Sequence, residues 1–159
     1  MNWSSSLRQL VIATGLIFTL GTVNLHAEQK SDIEAITVAN LAFDTALSAR
    51  DINAMERVWA AEPYVIAVHP ASKALIVGWD AVRKSWQATF DRFAEISVSM
   101  KEPQTRVVQN VAWVVGVESV QGKSKNGDAV SFMAFTTNMY EKRDGRWLMV
   151  LHSTSRVPQ

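Results

Sequence analysis

Residues 130–141 and 146–155 each alternate apolar and polar side chains, and Asp144-Gly145 stands between them. Alternation on both sides of an Asp-Gly pair predicts a β-hairpin, because the tight turn needs positive φ and Gly accepts it without strain. A hairpin of this length commits the C-terminal end to an antiparallel sheet with one buried face. Asn138 and His152 interrupt runs that would otherwise pack. A buried polar group requires a hydrogen-bond partner or a ligand, so these two mark the place of an interior polar site.

The alternation begins earlier. Ile96, Val98 and Met100 alternate with polar residues, and Pro103 predicts a bend or bulge because it has no N–H for a ladder. Residues 105–108 and 111–120 flank a turn at Gln109-Asn110, and the polar loop at residues 122–128 contains Asn126-Gly127. Before the sheet, the period is helical. Ser31-Asp-Ile-Glu34 reads as a capping box opening a helix with Ile33, Ile36, Phe43 and Leu47 on one face. Asp51 is the N-cap of a second, short helix that turns Met55, Val58 and Trp59 inward, and Pro63 closes it. Short strands at residues 64–69 and 75–77 precede a third helix over residues 80–93, carrying Val82, Trp86, Phe90 and Phe93 near one face. Helices first and a strand meander afterwards define the α+β class.

Residues 1–27 stand apart. A short polar start, Arg8, an apolar run at residues 10–20 and a small-residue exit at Ala27 read as a signal peptide, with an uncleaved anchor as the alternative. Residues 28–159 then form one domain of ordinary size, expected to be periplasmic or secreted, with no membrane contact once the leader is removed. Arg8 is the source of the net charge of +1, so the domain itself is neutral. A neutral domain without clustered Lys and Arg is a poor binder of phosphate backbones, so no nucleic-acid partner is expected. There is no cysteine, hence no disulfide, thiolate ligand or thiol nucleophile. Two domain histidines without carboxylates at ligand spacing give no metal site, and no cofactor motif is present.

Four stretches carry a resemblance that covers nearly the whole domain. They are Asn40-Leu-Ala-Phe43; Ala49-Arg-Asp-Ile-Asn-Ala-Met-Glu-Arg-Val-Trp59; Val68-His-Pro70 with Gly78-Trp-Asp-Ala-Val-Arg-Lys-Ser-Trp86; and residues 137–152 with Ser155. In these the chain resembles the SnoaL-like branch of the nuclear transport factor two-like superfamily. The resemblance implies a cone, with N-terminal helices packed in a curved antiparallel sheet, a pocket at the open end and homodimerisation through the outer sheet face. The superfamily hosts isomerases, cyclases, hydrolases and binding proteins, so the scaffold does not select a chemistry. The chain departs from its relatives at Asp44, where they often have an aromatic residue, and at Ser153, where they often have histidine. No tyrosine on the first helix matches the oxyanion donor of ketosteroid isomerases.

Asp44, beside an apolar helical stripe, reads either as a desolvated acid–base group or as a solvated, ion-paired edge residue. Asn40, in mid-stripe, either braces a neighbouring element or lines the pocket. His69, at a strand end, either shuttles a proton or hydrogen-bonds a loop. His152 and Asn138 are either satisfied core residues or ligand contacts. Trp59, Tyr64 and Trp86 are the aromatics that the resemblance places around the pocket, against the plainer reading of core and dimer interface. Together they describe an exported protein binding an unknown small hydrophobic or cyclic molecule, with acid–base catalysis by Asp44 and His69 as its enzymatic form. The alternative is a non-catalytic dimeric association module using Trp113 and Trp147 on the outer sheet face.

Overall fold

In the computed structural model residues 7–158 are described, with side chains from Glu28 onward. The signal-peptide reading of residues 1–27 therefore lies outside the described side chains. Three helices, α1 (Leu7–Ala49), α2 (Ile52–Val58) and α3 (Trp79–Arg92), pack into one curved six-stranded sheet. The strands are β1 (Ile66–Val68), β2 (Ile76–Val77), β3 (Phe93–Val108), β4 (Val111–Ser124), β5 (Ala129–Arg143) and β6 (Arg146–Arg156), in the order β2-β1-β6-β5-β4-β3. β1 runs parallel to β6, and every other pairing is antiparallel. This is the expected α+β cone.

The local signals explain most of it. Asp144 and Gly145 both take positive φ, 49° and 76°, the signature of a type I′ turn. Asp51 caps α2, its Oδ1 accepting the Asn53 and Ala54 N–H groups at 2.9 and 3.0 Å. Around Pro103 the β3–β4 register slips between Lys101 and Gln104, with Glu102 at φ 48°. β3 continues through this bulge, so the two runs read separately in the sequence are one bent strand. The bend lets the sheet wrap around α1.

The capping box does not form. α1 runs unbroken through Ser31-Asp-Ile-Glu34. Residues upstream already supply the helix with carbonyl acceptors, so no free N–H groups are left for a capping box. The buried stripe of α1 is Asp32, Ile36, Asn40, Phe43, Asp44, Ala46 and Leu47, which leaves Ile33 on the flank at 37 % exposure. Asp32 is held inside by Lys142 Nζ at 2.7 Å and by Trp147 Nε1 at 3.2 Å. Trp147 thus faces the interior, buried, and not the outer sheet face.

Candidate functional site

Inward-facing positions of β4, β5 and β6 carry an unusual share of polar side chains. Glu118, Thr136, Asn138, Tyr140, His152 and Thr154 are all buried, and α1 adds Asn40 and Asp44 from the other side. Asn40 Oδ1 accepts from Asn138 Nδ2 at 2.8 Å and from Tyr140 Oη at 3.0 Å. Asn138 Oδ1 in turn lies 2.8 Å from His152 Nδ1. An amide oxygen only accepts, so His152 carries its proton on Nδ1 and leaves Nε2 as an acceptor. Asn40 therefore braces the two strands, and the tyrosine of this interior comes from β5 instead of the first helix.

The open end of the cone holds a cavity of about 180 Å³. His69, Trp86, Glu118 and His152 line it, among mainly apolar neighbours. His69 Nε2 is 2.9 Å from Ser85 Oγ, whose own proton goes to the Val82 carbonyl at 2.7 Å. His69 is consequently the donor of that pair and is protonated on Nε2. Burial pushes the His69 pKa down to about 4, and burial with the neighbouring His69 pushes His152 to about 3. Both imidazoles are neutral at pH 7.

The carboxyl groups move the other way. Burial, reinforced by the nearby Asp44 and partly offset by a hydrogen bond with Thr136, raises Glu118 to about 7. Burial raises Asp44 to about 6 against the opposing Met100 N–H, which reaches Asp44 Oδ2 at 3.2 Å. Met100 is the cross-strand partner of Glu118, so the two carboxyl groups are neighbours on either side of one strand pairing. Among the described residues, Asp44 Oδ1, Glu118 Oε1, Trp86 Nε1 and, in the core away from this cavity, Trp59 Nε1 are buried without a hydrogen-bond partner.

The structure thus brings together His69, Trp86, Asn138 and His152, with Asn40 and Asp44 behind them. Asp44 and Asn40 themselves line a separate cavity of about 180 Å³ between α1 and the bulge of β3. Trp59 sits in the core beside Trp79, with ring centroids 6.4 Å apart, and is not a wall of the cavity at the open end. Tyr64 is 44 % exposed and hydrogen-bonds Glu141 Oε2 at 2.6 Å on the outside. It follows Pro63 in a loop, where no periodicity assigns it a face. Glu118 is the residue the sequence reading missed. Its signal was available: it lies in phase with the inward-facing Val114 and Val120.

Residues 36–159 match the family model described as the SnoaL-like domain. The F-box protein SKIP8 of Arabidopsis thaliana is 32 % identical over 133 residues, which cover 84 % of this chain. The chain spans about half, 54 %, of that relative's length. A Streptomyces avermitilis structure, provisionally named a dehydratase of the NTF2-like family, superposes with a TM-score of 0.75 at 20 % identity, over 82 % of this chain and 99 % of that one. A Thiobacillus denitrificans structure, provisionally named a calcium/calmodulin-dependent protein kinase type II association domain, does so with a TM-score of 0.66 at 25 % identity, over 76 % and 93 %.

Proposed function

Taking as premise that the chain belongs to the SnoaL-like domain family, we propose that it binds a small single-ring molecule in the open-end cavity and moves a proton on it through Glu118. The observation that carries this reading is Glu118 itself, a buried carboxyl with an unpartnered oxygen on the wall of a mainly apolar cavity. Leaving such a group unpaired costs stability of about 1–3 kcal/mol, and cleft residues with strongly shifted pKa values cluster at functional sites. A pKa of about 7 lets Glu118 serve as acid or base near neutrality. An engineered cavity of about 150 Å³ accepts benzene, so about 180 Å³ fits one substituted ring. Trp86 Nε1 offers a donor and His152 Nε2 an acceptor to the polar edge of such a ligand. Asp44 tunes the charge of Glu118 from behind; the role first read for it passes to Glu118.

The test is an NMR titration of cyclohexanone followed by its α-proton exchange in D2O. Saturable shifts at His69, Trp86 and His152 are expected, with exchange rising through an apparent pKa near 7 and lost in Glu118→Gln. If neither cyclohexanone nor phenol shifts these resonances, the cavity reading fails. Binding without exchange would leave a binding protein and remove the enzyme.

Export and homodimerisation complete the proposal. Export rests on the apolar run at residues 10–20. The dimer rests on the outer sheet face, where Phe135 is 54 % exposed, Val115 40 % and Met133 38 %, with Phe135 paired across to Val117. That face would equally serve a pure association module, as the name of the Thiobacillus denitrificans structure suggests for that protein. Native mass spectrometry of protein recovered from expressing cells should find a dimer of chains beginning at Glu28, and Phe135→Lys should make it monomeric. An intact Met1, or a monomer in the unsubstituted protein, would remove the corresponding part.

A further inference from the structure

The charged residues lining the open-end cavity are Glu118, deep inside, and two arginines, Arg92 and Arg156, both exposed at its mouth. Among the described residues neither arginine is ion-paired with a carboxylate. Arg92 ends α3, while Arg156 ends β6. Arg156 is not free to wander, since its guanidinium lies over the Phe132 ring, 4.3 Å from the centroid. Phe132 is itself a cavity wall. Arginine stacked on an aromatic face keeps its N–H edge available for a planar anion.

Sheet register places this cation relative to the acid. Arg156 pairs with Ala134, and Ala134 pairs with Glu118, so the three form one row across β6, β5 and β4. Two strand spacings put their backbones roughly 10 Å apart. A single ring with an anionic group at one end and a polar atom at the other fills such a span. The polarity of the cavity fixes which end goes where. The deep end holds Glu118 with Asp44 behind it and two neutral imidazoles, an environment that repels a ligand anion. The mouth is cationic.

Resting on the single-ring reading above, we propose that the ligand is a ring carboxylate that enters ring first and leaves its carboxylate at the mouth, on Arg156, with Arg92 adding to the positive charge there. Arg156 is then the residue that selects for charge, while the walls around Trp86 select for the ring. The carboxylate remains partly solvated, which limits its contribution to that of an exposed charge-assisted hydrogen bond.

Paired probes separate this from the parent reading. Binding of 4-hydroxybenzoate and of 4-hydroxybenzamide, matched in shape and different in charge, is measured by calorimetry or NMR at low and high salt. The carboxylate is expected to bind roughly fivefold more tightly than the amide at low salt. Arg156→Gln should abolish the difference, and Arg156→Lys should restore only part of it. Equal affinities in the unsubstituted protein, or a preference that survives Arg156→Gln, overturn the proposal while the cavity reading stands. Failure of both probes to bind overturns both.

Discussion

Glu118→Gln gains stability over the unsubstituted protein as pH rises, by about 3 kcal/mol between pH 4.5 and pH 8. The carboxyl titrates near 4.5 when unfolded and near 7 in the folded cone. Between those values the folded state holds more protons than the unfolded state. Stability therefore falls with rising pH, because its slope follows protons bound unfolded minus protons bound folded. A shift of this size, at about 1.4 kcal/mol for each pH unit, amounts to about 3 kcal/mol. Glutamine does not ionise and escapes that loss. The two histidines act in the opposite sense: their folded pKa values of about 4 and 3 lie below 6.5, so they add stability as pH rises towards 6.5. They are present in both proteins and drop out of the difference. Urea unfolding at four pH values reads it directly. Parallel curves for the two proteins would mean that Glu118 is solvated, and its role as the proton-transfer group would fall with it.

The fold was legible because its signals are local. Asp144-Gly145 needs only two residues to specify a turn, Asp51 caps a helix through its own side chain, and Pro103 breaks a ladder by lacking an N–H. The site was legible only in part. Asn138 and His152 stand out against their apolar strands, but which carboxyl faces the open-end cavity depends on which side of α1 each strand passes. Asp44 and Glu118 are 74 positions apart in the sequence, and Met100 brings them together through one backbone hydrogen bond and one strand pairing. Tyr64 shows the complementary failure. Its size and hydrophobic body suit a pocket wall, yet Glu141 and Arg143 on the hairpin hold it outside.

Asn40→Ala is expected to destabilise the protein by about 4 kcal/mol, while Tyr140→Phe costs about 1 kcal/mol. The asymmetry follows from who donates. Asn40 Oδ1 is the shared acceptor, so truncating it strands two buried donors, Asn138 Nδ2 and Tyr140 Oη. Each buried donor left unmatched costs about 1–3 kcal/mol, and the truncation adds lost packing. Removing the tyrosine hydroxyl strands nothing, because Asn40 Oδ1 keeps Asn138. At about 3 °C for each kcal/mol in a chain of this length, the thermal midpoints should drop by about 12 °C and about 3 °C. Equal drops would show that the amide chain relaxes or hydrates, and that its order does not matter. The chain also reaches the cavity. Asn138 presents its oxygen to His152 because its nitrogen is committed to Asn40. Once Asn40 is lost, Asn138 can rotate, offer nitrogen instead, and draw the His152 proton to Nε2. In 15N-labelled protein the unsubstituted His152 should therefore report an Nδ1–H tautomer, and Asn40→Ala should convert part of it to Nε2–H. A tautomer unchanged by Asn40→Ala would show that His152 is set by the cavity itself, and would confine Asn40 to bracing the strands.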